Sequence, residues 1–245
     1  MELNLSKVEF SKKDIKINIQ IPRILTEELA YFIGLHVGDG TLVFQPKKHD
    51  YFISFTGHLL DEYEFHKSVI TPLIKKLFNK KVKMGEDRRE KRSSIRIYFR
   101  SKAIFTFLSK SIDLPIGPKS NSGVPDIIKR SNKKIKINFL RGLADTDFTL
   151  IFKKRYRNLH YYPTISFSTS SQFLARDINY ILKELGFKIN SRFNFKTWRY
   201  EIPHMSNRID INGVNNLEKW IDTIGFKSQK HLTKYKIWKR FGYCP

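Results

Sequence analysis

GLHVGDGTLVF at residues 34–44 returns, altered, as GLADTDFTLIF at residues 142–152. Both copies keep Gly-Leu, an Asp five positions after the Gly, then Thr-Leu, one aliphatic residue and Phe. Gly34 and Gly142 are 108 positions apart, and so are Asp39 and Asp147. A repeat that retains one carboxylate per copy implies two similar halves bringing two acids to one place. That arrangement suits metal-dependent chemistry on a pseudo-two-fold axis.

The parallel continues beyond the motif. YFISFTGHLLDEY (51–63) answers YPTISFSTSSQFL (162–174), now 112 positions apart, so the second half gains four residues in its hairpin turn. ITPLIKKLFNKKV (70–82) answers NYILKELGFKI (179–189), an amphipathic helix running into a strand. SIRIYFRSKAIFTFL (94–108) answers NRIDINGVNNLEKWI (207–221), a strand running into a helix. Each half therefore reads helix, two strands, helix, two strands, helix. IGPKSNSGVPD (116–126) has the Pro, Gly and Ser of a connector. The expected division is 1–115, a linker over 116–130, and 131–245.

The 245 residues can bury one sizeable core or two small ones, and 40% hydrophobic residues are enough to fold. No apolar run approaches the ~18 residues of a membrane span, and MELNLSKVEF lacks a secretory pattern. The reading is a protein of the cytoplasm without a membrane partner. The lone Cys244 excludes an internal disulfide and a Cys-based zinc site. Neither a Walker loop nor a GxGxxG occurs, which argues against nucleotide hydrolysis. Forty-six Lys and Arg against 23 acids give a net charge of +23, which calls for a polyanionic partner, here nucleic acid.

Strand alternation separates a core face from a polar face. In 92–100, Ile95, Ile97 and Phe99 share one parity, and Arg92, Arg96, Tyr98 and Arg100 the other. In 192–196, Phe193 and Phe195 alternate with Arg192, Asn194 and Lys196; in 208–212, Ile209 and Ile211 alternate with Arg208, Asp210 and Asn212. An antiparallel sheet with one covered face has this pattern, and a two-stranded ribbon fits the major groove. Gln45, Lys47 and Arg155, beside the hairpin turns, join these residues as DNA-binding candidates.

The segment LAYFIGLHVG (29–38) is apolar almost all round, with Thr26 placed to cap it. Gly34 and Gly38 recur as Gly142 and Thr146, small residues four apart that let two helices approach closely. A glycine inside a helix costs about 1 kcal/mol relative to alanine, so close contact with a twin helix is the expected reason. Asp39 and Asp147 then fall at C-terminal helix ends, where the helix dipole disfavours an anion and a cation relieves it. Asp145 faces no acid in the first copy, where Val37 stands, and reads as polar surface or a local cap.

FIGLHVGDG (Phe32–Gly40) and LRGLADTDF (Leu140–Phe148) resemble the signature of the LAGLIDADG homing endonucleases, as do IPRILTEELAYFIG before the first and IGFKSQKHLTKYKIWKRFG near the end. The resemblance covers nearly the whole chain after residue 20. It implies an α+β fold of two αββαββα halves whose antiparallel sheets form a basic saddle over DNA. It implies a monomer, double-stranded DNA as substrate, and Mg2+, replaceable by Mn2+, held by Asp39 and Asp147 with Gly38 and Thr146 beside them. The reaction implied is hydrolysis of both strands of a long asymmetric site to leave 3′ overhangs.

The chain departs from that pattern in places. Where the family carries Lys or Gln on the strand after each motif, SFTGH offers His58 and SFSTSS offers no basic group; Lys153 is a catalytic candidate by proximity to the second motif. Phe148 stands where the family has Gly, whose backbone freedom Phe lacks. An intron RNA is the partner in a maturase reading, and a nuclease-inactive DNA-binding protein is the other rival. Self-splicing is not expected, because an intein-like block would open with Cys or Ser and close with His-Asn.

Overall fold

The computed structural model describes residues 1–89, 93–199 and 201–245. A short helix α1 (Lys12–Lys16) starts at Ser11, whose hydroxyl accepts from Asp14 N–H. The buried Asp14 carboxylate also accepts the backbone N–H groups of Lys102 and Ala103, at 3.1 and 3.2 Å. Helix α2 (Glu27–Asp39) begins where Thr26 accepts the N–H of Leu29, as the sequence indicates, and every residue from Leu29 to Val37 is buried.

From α2 the chain passes directly into β1 (Gly40–Gln45) and then β2 (Asp50–His58). Helices α3 (Leu59–Phe65) and α4 (Thr71–Phe78) follow, then β3 (Lys83–Asp87), β4 (Ser94–Arg100) and α5 (Lys102–Thr106). The antiparallel sheet has the order β1-β2-β4-β3. Ile53, Phe55, Ile95, Ile97 and Phe99 face the helices and are buried, while Arg96, Tyr98 and Arg100 alternate with them and are exposed. The expected separation of faces on β4 is therefore observed.

After α6 (Asp126–Lys129), helix α7 (Lys133–Asp147) repeats the role of α2. Asn132 starts it by accepting the N–H of Ile135. Strands β5 (Phe148–Lys153) and β6 (Tyr162–Thr169), helix α8 (Gln172–Glu184), β7 (Ile189–Arg199), β8 (Ile202–Asn212), α9 (Val214–Thr223) and α10 (Gln229–Phe241) complete the chain. The second sheet has the corresponding order β5-β6-β8-β7. The fold is α+β, with two αββαββα halves.

Contacts gather Met1–Pro118 with Pro125–Gly142 as one unit, and Lys119–Val124 with Leu143–Pro245 as the other. The chain crosses between the units twice within 116–130, after Pro118 and after Val124, and once more inside α7, after Gly142. The reason is visible at Gly142: a β-carbon there would lie 2.1 Å from the carbonyl oxygen of Tyr31 and 2.9 Å from the amide nitrogen of Leu35. Backbone meets backbone, so only glycine permits the approach of α7 to α2 at this point. Asn138 adds a hydrogen bond to Glu27 at 2.9 Å.

Candidate nuclease site and nucleic-acid interface

Each acid closes a helix and opens a strand with no loop between. Asp39 ends α2 and Gly40 begins β1; Asp147 ends α7 and Phe148 begins β5. Both acids are half-buried. Each lies among the C-terminal carbonyls of its helix, an environment that favours a cation over a free carboxylate. The donors are hard oxygens. Among the described residues no group of three or more His, Cys, Asp or Glu could cage a metal. Magnesium asks for less, taking one or two carboxylates and completing its shell from water and phosphate, so this donor set fits it.

The backbone objection to Phe148 is overturned. Gly40, its counterpart, has φ −75° and ψ 152°, extended geometry open to any residue. Glycine is needed there for space: an added β-carbon would lie 2.5 Å from the imidazole of His36. In the second copy the position equivalent to His36 is Ala144, and the Phe148 ring packs on Phe167 as the His36 ring packs on Phe55, the counterpart of Phe167. The Phe148 ring is buried and stacks on Phe167 with centroids 4.8 Å apart.

His58 ends β2 at the end of the sheet where α2 delivers Asp39: Gly40 pairs with Phe55, three residues upstream. Its Nδ1 is 3.2 Å from the Asp61 carboxylate, and its backbone N–H donates to Glu62 at 2.7 Å. Gly57 beside it leaves room for Glu62 and His66, which would crowd any β-carbon. Burial holds the His66 imidazole below its ordinary pKa. Lys153 is placed differently. It ends β5, six residues from Asp147, and strand rise alone puts the two about 20 Å apart. Lys153 is therefore corrected from the reaction to the strand face that also carries Arg192 and Arg208.

Cross-strand partners share a face. In the first unit Thr56 pairs with Arg96, Ser54 with Tyr98 and Phe52 with Arg100, so His58 and these residues look one way. Gln45 joins them through its pairing with Asp50, which also holds Arg100 at 2.7 Å. Lys47 lies in the turn Pro46–Lys48, and Arg92 lies outside the described residues.

In the second unit Asp210 pairs with Ser166 and Asn190, and Arg208 with Ser168 and Arg192; Asn212 pairs with Thr164 and accepts its hydroxyl at 2.9 Å. Asp210 holds the Nε of Arg208 at 2.9 Å and so orients that arginine on the sheet face.

A bulge corrects the reading of β7. The register shifts between Arg192 and Phe195, and Asn194 adopts φ +50° with its N–H donated to the buried Asn207 side chain at 3.0 Å. One extra residue reverses the faces beyond it. Phe195 then pairs with Ser206 and joins the polar face, where the Arg192 guanidinium lies 4.5 Å over its ring. Lys196 pairs with Met205 and turns to the other face. Lys153, Arg192, Phe195, Arg208 and Asp210 line one open cavity of about 550 Å³.

Asp145, read as polar surface or a local cap, is buried rather than on the surface. Its carboxylate accepts the N–H groups of Lys227 and Ser228 at 2.8 and 2.9 Å, which fastens the start of α10 to the last turn of α7. That contact exposes a repeat the first reading missed. Ile116-Gly-Pro-Lys-Ser120 and Ile224-Gly-Phe-Lys-Ser228 are again 108 apart, and Gly117 and Gly225 both have positive φ, 82° and 67°. Gly117 N–H donates to Leu42 on β1 at 2.8 Å. Lys119 and Lys227 thus recur at equivalent turns tied to the elements around each motif.

A helix that hands an acid straight to the first strand of an αββαββα unit, twice in one chain, defines the double-motif LAGLIDADG fold. Residues 134–225 match the family model described as a LAGLIDADG-like domain. The homing endonuclease I-DmoI in complex with DNA and Ca superposes with a TM-score of 0.56 at 17% identity, over 86% of this chain and 98% of that one. I-WcaI bound to its DNA recognition sequence gives 0.54 at 13% identity, over 93% and 92%. A segment of 128 residues is 26% identical to the tRNA-splicing ligase RtcB of Methanopyrus kandleri, half of this chain but only 13% of that protein. Residues 134–225 thus carry a LAGLIDADG-like domain, and the chain as a whole shares the fold of these structures. No helix among the described residues is long and apolar enough to cross a membrane.

Proposed function

We propose that the protein is a monomeric homing endonuclease of the cytoplasm that makes a magnesium-dependent staggered break in a long asymmetric DNA site. The observation that carries this is the backbone contact at Gly142. From it α2 continues four residues beyond Leu35 to Asp39, and α7 five residues to Asp147. We assign Asp39 and Asp147 to one reaction, with Gly38 and Thr146 adjoining.

Bound magnesium, or manganese in its place, would supply an activated water and stabilise the leaving oxygen. The chain supplies the rest. Arg96, Tyr98 and Arg100 in one half, and Arg192, Phe195, Arg208 and Asn212 in the other, engage the two half-sites. Arginine and asparagine on strands suit guanine and adenine edges in the major groove. The two faces differ residue by residue, so the site they fit is asymmetric. His58, with Nδ1 turned to Asp61, presents Nε2 to take a proton from water. Lys119 and Lys227, at equivalent turns of the repeat, each offer an ammonium group to the phosphates.

The test is incubation with DNA carrying the uninterrupted host gene, with and without magnesium. Cutting only with metal, and lost in Asp39→Asn and Asp147→Asn while binding persists, is the expected result. Unchanged cutting by either variant removes that Asp from the reaction. Splicing assistance that survives both substitutions would favour the maturase reading.

A further inference from the structure

The turn between β5 and β6 carries more than a turn needs. Residues 154–161 read KRYRNLHY, and no acid occurs between Lys153 and Tyr162. The corresponding turn of the first unit is four residues shorter, a single turn at Pro46–Lys48. The base of the longer loop is fastened at several points. His160 Nδ1 is 2.8 Å from the Phe152 carbonyl, Cys244 N–H donates to His160 O at 2.9 Å, and the Trp238 indole N–H donates to Tyr161 O at 2.8 Å.

Above that base, residues 154–160 are exposed, Tyr156 by 88%. Its two neighbours are already ordered. The Arg155 guanidinium lies 4.1 Å over the Tyr162 ring and that of Arg157 lies 5.3 Å over Tyr161. Tyr162 pairs with Lys153, which belongs to the face bearing Arg192 and Arg208. The loop therefore continues that face beyond the edge of the sheet.

An arginine stacked before binding loses less freedom when it grips a phosphate, and its planar fork suits phosphate oxygens. We propose that the β5–β6 loop is a backbone clamp for the duplex flanking the second unit's half-site. Arg155 and Arg157 hold neighbouring phosphates, and Tyr156 packs on the sugars between them. A duplex fits better than a single strand, because single-strand binding stacks successive bases on open aromatic faces. Here an arginine lies over each of the three rings, at 4.1 Å from Tyr162, 5.3 Å from Tyr161 and 6.0 Å from Tyr156. The clamp rests on the endonuclease reading and adds to it an unequal footprint.

The probe is a duplex recovered from a randomised pool by cleavage, compared with one trimmed on the second unit's side and with single-stranded RNA of the same sequence. Affinity is measured across a salt series for the wild type, the double variant Arg155→Gln/Arg157→Gln, and Tyr156→Ala. Each lost phosphate contact lowers the log–log salt slope by about 0.9, so the double variant loses nearly two. Its footprint shortens on one flank only, its melting temperature is unchanged, and the trimmed duplex erases its difference from the wild type. Tyr156→Ala weakens binding to the long duplex at an unchanged slope.

Normal wild-type binding with an unaltered slope and footprint in the double variant would overturn the clamp alone. Loss of RNA binding with duplex binding intact would make the loop an RNA site instead. A wild type that neither cleaves nor binds any duplex of the randomised pool would overturn the endonuclease reading and the clamp together.

Discussion

His36 with Gly40 in the first unit, and Ala144 with Phe148 in the second, set a ring against the counterparts Phe55 and Phe167 from opposite residues. In one, the helix contributes the ring and the strand yields space; in the other, the helix is small and the strand contributes the ring. The geometry kept is the direct passage from helix to strand after each Asp. A departure from the motif at one position was balanced one helical turn away. The halves also differ at Val37 and Asp145: only the second carries a buried carboxylate that ties its motif helix to a later turn.

The sharpest way to break this comparison is at the acids. If the halves serve one reaction, Asp39→Asn and Asp147→Asn each lower double-strand cleavage by about a thousandfold or more, with DNA affinity retained. Unequal losses in a strand-resolved assay would show that the halves have diverged in chemistry as well as packing. Next comes the compensated pair. Phe148→Ala empties a filled core site and costs about 3–5 kcal/mol in chemical denaturation. Gly40→Ala overpacks against His36 and costs about 1–3 kcal/mol, and a further His36→Ala substitution recovers part of it.

A smaller effect is expected at the unmatched acid. Asp145→Asn keeps an oxygen acceptor but loses the charge, and slows cleavage of one strand by about tenfold so that nicked product accumulates. Equal slowing of both strands would reduce Asp145 to general stability. The smallest effect concerns His231 on α10. Burial first, then Lys230 and Lys234, pull its pKa from 6.5 down to about 3, and its Nδ1 is buried without a hydrogen-bond partner. The unfolded chain therefore takes up the proton first. The stability gained by keeping His231 neutral is full above pH 6.5 and lost as pH falls toward 3. His231→Gln should flatten the melting temperature against pH within that window and leave it unchanged above.

Much of this was legible in residues alone. The 108-residue repeat, the cap at Thr26, the alternation on β4 and the αββαββα order all follow from local pattern, because period and spacing survive without knowledge of partners. The reading failed where a local signal depended on something distant. β7 seemed to continue its alternation until Asn207, thirteen residues on, filled a bulge and reversed Phe195 and Lys196. Lys153 seemed close to Asp147 because sequence distance hides how far an extended strand carries a side chain. Lys119 and Lys227 were present as a repeat, but without the anchoring contact of Asp145 the repeat looked like connector.

The residues by themselves determined that there are two halves, where each acid ends its helix, and that the chain is strongly positive. Hydrophobic period and net charge are properties of the chain, whatever it packs against. Tertiary structure decided which glycines are there for space, which face Phe195 joins, and that Asp145 is a buried anchor. Those outcomes depend on atoms brought within hydrogen-bond or van der Waals reach from distant parts of the chain, and no local pattern encodes that proximity.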